Sequence, residues 1–128
     1  MRSAWVCDDA YITFRVVSNV LHGYGPVFNP GERVEGYSNF AWVAIAAAAI
    51  RVGLDPVQVS KGVGLLAGAM ALVLSWMLVR RLVPGAGFTT LVAPFYLAVS
   101  PTLVQHSVSG LETSFFALLL VAAVLLAA

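Results

Sequence analysis

Charge is scarce in this 128-residue chain. Only 10% of its residues are Asp, Glu, Lys or Arg, where a soluble domain carries roughly 25%. With 60% hydrophobic residues and a mean hydropathy of +0.90, the composition excludes a protein whose main solvent is water. Seven basic residues oppose six acidic ones for a formal net charge of +1. The basic residues are scattered, with no stripe to follow a phosphodiester backbone, so nucleic acid is excluded as a partner. Cysteine is nearly absent. The single Cys7 cannot close an internal disulfide and has no companion at metal-ligand spacing, so it reads as a small buried hydrophobe. No secretory leader is expected from the first residues either: the apolar part of MRSAWVCDD is too short and meets two aspartates. The last apolar run is unfinished at Ala128, and the expectation is a fragment of a longer protein.

The few charges are unevenly placed. Four of the six acids, Asp8, Asp9, Glu32 and Glu35, fall in the first 35 residues. The chain therefore divides into a polar head, 1–58, and a lipid-facing body, 59–128. A hydrocarbon core needs about 20 helical residues to cross. Three runs approach that length: 62–79, 88–104 and 111–128. The expected class is all-α, a polytopic membrane protein with about three transmembrane helices. Gly62, Gly64, Ala67, Gly68 and Ala71 in the first run would let neighbouring helices approach closely. The stretch FAWVAIAAAAI, 40–50, holds only 11 residues before Arg51. That length suits a helix lying on the membrane surface, with a thin crossing as the alternative.

Orientation follows from Arg80 and Arg81, which abut the end of the first run. The positive-inside rule puts such a pair on the cytoplasmic side. The turn at 83–87 is then inside and the loop at 105–112 outside. With 40–50 on the surface, the head is outside as well. This count brings Asp8, Asp9 and Glu112 to one membrane face.

In the head, DDAYITFR opens a stretch whose Ile12, Val16, Val17, Val20 and Leu21 recur at helical spacing. A helix is expected from Asp9 to about Leu21, capped by Asp8, with Asp9 favoured by the helix dipole and Arg15 able to snorkel toward headgroups. Capping does not explain a pair. Two adjacent carboxylates near a membrane repel unless they face a polar cavity or hold a cation, which marks them as a candidate site. In such a cavity one could act as general base. The following loop carries NPG, 29–31, a strong turn signal, and displays Glu32, Arg33, Glu35 and Tyr37. In the second outer loop His106 and Glu112 are the titratable groups. His106 reads as a base, a phosphate donor or an interfacial hydrogen-bonder, and Glu112 as a cap or a site residue.

Three motifs, DDAYITFR, FNPGERVEGYSNFAW and SGLETSFFALLL, together resemble the N-terminal portion of multi-spanning GT-C superfamily glycosyltransferases, above all those similar to mycobacterial terminal arabinofuranosyltransferases. The resemblance covers essentially the whole chain. It implies a polyprenyl-phosphate sugar donor, a cell-envelope glycan or lipid acceptor, the lipid bilayer as surroundings, and inverting transfer on the outer face of the cytoplasmic membrane. It implies that Asp8 and Asp9 are the catalytic acids, one as base and the other as helper or divalent-cation ligand. Arg15 would meet the lipid phosphate, and Glu112 a cation or the acceptor. His106 is a further candidate for the departing phosphate, and Tyr37 for stacking on a sugar ring. Family members carry a membrane helix before the acid pair, whereas seven residues precede it here. Two rival readings are a transporter, disfavoured because neither 62–79 nor 88–104 holds an acid, and a non-catalytic fragment or assembly subunit.

Overall fold

The computed structural model describes residues 7–32 and 39–128. Arg33, Glu35 and Tyr37 lie outside the described residues. Those described form helices and turns, with no strand among them. The helices are α1, Asp8–Leu21; α2, Phe40–Arg51; α3, Pro56–Leu82; α4, Val92–Ala98; α5, Pro101–Val108; and α6, Thr113–Ala127. A 3₁₀ segment, Gly87–Leu91, leads into α4.

The axis of the body is α3. Asp55 Oδ1 accepts from the Val57 N–H at 3.1 Å, and Pro56 at the first helical position gives up only an N–H that would have no helical partner. The helix then runs 27 residues, about 40 Å at 1.5 Å per residue. Its buried face is a stripe of small residues: Ser60, Gly64, Ala67, Gly68, Ala71 and Ser75. A Cβ on Gly64 would stand 2.6 Å from the Ser107 carbonyl oxygen, and one on Gly68 2.5 Å from Ser107 Oγ. Backbones thus meet where a side chain would keep them apart. Of the five small residues expected at a helix contact, four are there; Gly62 faces open space.

The run 88–104 is not one span. It is broken after α4, and the segments Gly87–Ala98 and Pro101–Val108 meet at 57°. Pro101 starts α5 with no N–H to continue the ladder, and Ser100 before it is extended, at φ −68° and ψ 119°. The run 111–128 shortens to 15 helical residues. Among the described residues, α3 is the one helix long and apolar enough to cross a bilayer, and the bent pair passes the same test if counted as one. α2 has 12 residues. α3 also begins at Pro56, so a head–body boundary after residue 58 falls in its first turn.

α3 packs along α6, α5 and α4. Its middle meets α6 through Ala67, Ala71 and Leu118, and near its end Arg81 donates to the Leu125 carbonyl at 3.4 Å. The two helices therefore run parallel, and the segment from Gly87 to Val108 returns between them. That return brings the loop 109–112 to the end of α3 remote from Arg80 and Arg81. α1 and α2 form a separate small core around Val17, Val43 and Ala46.

Candidate functional site

The acid pair opens α1. Its cap is Cys7, in extended conformation and without a side-chain hydrogen bond, so Asp8 is the first helical residue rather than the cap. Both aspartates are exposed, and both sit in the first turn, where the helix dipole stabilises negative charge. Among the described residues neither carboxylate has a hydrogen-bond or ionic partner.

Three long-range ties bring the starts of α1 and α2 to the loop before α6. The Cys7 N–H donates to the Ser109 carbonyl at 3.0 Å. The Trp42 indole N–H, buried on α2, donates to the Gly110 carbonyl at 2.9 Å. The Asn39 amide donates to Glu112 Oε2 at 2.9 Å and lies 3.4 Å from Thr13 Oγ1. Thr13 is buried one turn beyond Asp9. Gly110 makes the loop possible, since its φ of +81° lies in the left-handed region that favours glycine. Asp8, Asp9 and Glu112 thus gather at one end of the bundle.

Glu112 occupies the cap position of α6 yet makes no side-chain cap bond. Its carboxylate turns to Asn39 instead, and both residues line a cleft of about 420 Å³ walled by Phe40, Trp42, Phe115, Phe116 and Leu119. Asn39 holds the cap position of α2, again without a side-chain cap bond, and serves the helix through its carbonyl. Its Oδ1 is buried and has no partner among the described residues, a state that costs about 1–3 kcal/mol for a neutral acceptor.

Arg15 is committed to a neighbouring turn rather than free to snorkel. Its Nε donates to the Phe28 carbonyl and its Nη2 to Asn29 Oδ1, both at 3.0 Å, and the guanidinium lies 4.6 Å from the Phe28 ring centre. Asn19 binds the same segment through the Val27 and Phe28 carbonyls. The NPG turn forms as expected: the Glu32 N–H donates to the Asn29 carbonyl at 3.1 Å, and Gly31 has φ +91°. His106, in the last turn of α5, is half-buried, its Nδ1 has no partner among the described residues, and it does not line the Glu112 cleft. Tyr37 lies outside the described residues. No three His, Cys, Asp or Glu side chains among the described residues gather closely enough to hold a metal ion. The expected cation between Asp9 and Glu112 finds no third ligand in that set. A second cleft, of about 610 Å³, lies around Trp76, Arg80 and Phe88, beside the turn that follows α3.

Asn39, Trp42 and Thr13 are the residues of this region that sequence reasoning passes over. Asn39 before an apolar run carries a signal, but it reads as a helix cap. A partner 73 residues away leaves no local pattern.

No family model matches the chain, and no solved structure matches it significantly. Two curated proteins do. A terminal beta-(1->2)-arabinofuranosyltransferase of Mycobacterium tuberculosis is 36% identical over 124 residues, covering 85% of this chain and 18% of that protein. A terminal beta-(1->2)-arabinofuranosyltransferase of Corynebacterium glutamicum is 53% identical over 38 residues, 30% of this chain and 6% of that protein. The chain spans under a fifth of the length of either relative. Along most of its own length it is similar to a terminal arabinofuranosyltransferase, the group to which its three motifs point.

Proposed function

We propose that the complete gene product transfers a glycosyl residue, arabinofuranosyl by its similarity, from a polyprenyl-phosphate donor to a cell-envelope glycan or lipid acceptor. In this reading the reaction takes place on the outer face of the cytoplasmic membrane and inverts the anomeric centre. The supporting observation is the Cys7–Ser109 backbone bond, which sets the acid pair beside the loop that ends in Glu112.

The chemistry asks for little. An acceptor hydroxyl attacks the anomeric carbon, a new C–O bond forms, and the bond from that carbon to the phosphate oxygen breaks on the opposite side. Asp8 or Asp9 takes the hydroxyl proton, a role worth about 10²- to 10⁴-fold. Polyprenyl phosphate leaves with the electron pair. Donors aimed at its oxygens would stabilise the charge that develops there; His106 is one candidate. Arg15 retains Nη1 for such a contact, because the turn at 28–29 engages its Nε and Nη2. Glu112, which lines the aromatic cleft, would accept from an acceptor hydroxyl.

The test is transfer of radiolabelled sugar from a panel of polyprenyl-phosphate donors in membranes containing the complete gene product, with Asp8→Asn and Asp9→Asn beside it. The expected result is transfer of one sugar, lost on either substitution with protein level unchanged. Full activity in both variants would return the pair to a role in the helix end.

A further inference from the structure

We infer that Asn39 is the positioning residue for Glu112, holding its carboxylate at the cleft and coupling it to the helix that carries the acid pair. The inference rests on the part given to Glu112 in the proposed reaction. Three observations carry it. First, Asn39 stands where a helix cap is expected and does not cap with its side chain; the amide is spent on Glu112 Oε2 at 2.9 Å. Second, a carboxylate can only accept here, so the amide must present its nitrogen to Glu112, and this orientation leaves Oδ1 buried with no donor among the described residues. Polar groups buried in folded proteins nearly always find partners, and one left bare calls for a reason. The reason offered is that the nitrogen is needed where it is. Third, the same nitrogen lies 3.4 Å from Thr13 Oγ1, on the turn of α1 that follows Asp9. One amide therefore spans α1, the start of α2 and the start of α6.

The consequence is mechanical. Glu112 sits at the end of a loop, and its side chain would otherwise sample several rotamers. Tied at Oε2, it keeps a fixed relation to α1 and leaves Oε1 out of that bond. A group held in place before the substrate arrives need not be ordered during the reaction, and misplacement costs rate steeply.

A double-mutant cycle on transfer by the complete gene product tests this, because a positioning residue acts only through the group it positions. Asn39→Leu is expected to lower kcat by about tenfold or more, with KM for the polyprenyl-phosphate donor changed less. Glu112→Gln should lower it at least as far. Asn39→Leu added to Glu112→Gln should then cost less than a further twofold. Independent, multiplicative losses would overturn the inference and leave Asn39 a merely structural residue, as would wild-type activity in Asn39→Leu. Wild-type activity in Glu112→Gln would overturn it together with the role of Glu112, while the acid pair is judged separately by Asp8→Asn and Asp9→Asn.

A second pair guards against a folding defect. Asn39→Asp alone sets two carboxylates against each other. Combining it with Glu112→Gln restores a hydrogen bond of reversed polarity. The double variant should recover the melting temperature lost in Asn39→Asp without recovering transfer. Recovery of both would show that the bond matters only to the fold.

Discussion

The two halves of the molecule hold their helices by opposite means. Around α3 the contacts are made by what is missing: Gly64 and Gly68 carry no side chain, and the backbone and hydroxyl of Ser107 come into the space. Around α1 and α2 lie most of the buried apolar side chains, with Val17, Val43 and Ala46 at the centre of their core. There position is set in addition by side-chain hydrogen bonds from Arg15, Asn19, Asn39 and Trp42 to main-chain and side-chain partners 8 to 73 residues away. Close packing of small residues can hold helices together where burial of apolar surface gives them no preference for one another. A polar junction can use directed bonds. The difference teaches that the bundle should fail by volume and the head by the loss of single donors.

The largest effect is expected in the bundle. Gly64→Val forces a side chain into the Ser107 carbonyl 2.6 Å away. Overpacking of this kind costs about 1–3 kcal/mol or more, and the backbone oxygen cannot swing aside. The yield of monodisperse protein in mild detergent should collapse, whereas Gly62→Val, facing open space, should leave it unchanged. Equal yields would break the comparison. Next comes Trp42→Phe, which keeps an aromatic ring in place and removes the donor to the Gly110 carbonyl. A loss of about 1–3 kcal/mol is expected if that carbonyl is left bare. It should appear as a lowered melting temperature and as faster proteolysis in the loop 109–112, with α3 still protected.

The smallest effect is expected at the edge of the head. Arg15→Gln removes two exposed hydrogen bonds and a ring contact, worth together about 1 kcal/mol or less in stability. Its value is diagnostic. If Arg15 serves chiefly to strap the turn at 28–29, donor KM should stay within about twofold of wild type. A rise of tenfold or more would assign the guanidinium to the lipid phosphate instead.

Much of the fold is legible in the residues. Apolar runs announce α2, α3 and α6, and the spacing of Val16, Val17, Val20 and Leu21 announces α1. The second run of the body misleads, because hydropathy averages over Pro101 while hydrogen bonding does not. The cap of α1 slips by one residue because Asp8 is as acceptable inside the first turn as before it. The acid pair stands out as two adjacent carboxylates in a chain with little charge, and the Cys7–Ser109 bond sets it at the end that carries Glu112. Asn39 and Trp42 escape notice for a different reason. Each looks locally ordinary, and only the folded path reveals the carbonyl or carboxylate it meets.

The contact between Cys7 and Ser109 runs from main chain to main chain. Nineteen of the twenty amino acids bring the same N–H to position 7, and all twenty bring the same carbonyl to position 109. The anchorage of the acid pair is thus indifferent to the chemistry of its immediate neighbours. Cys7, half-buried, is open to substitution without the two aspartates being set adrift, whereas Ser109 is buried and its hydroxyl is bonded to the His106 carbonyl and the Leu111 N–H. Proline at position 7 is the single replacement that would withdraw the donor.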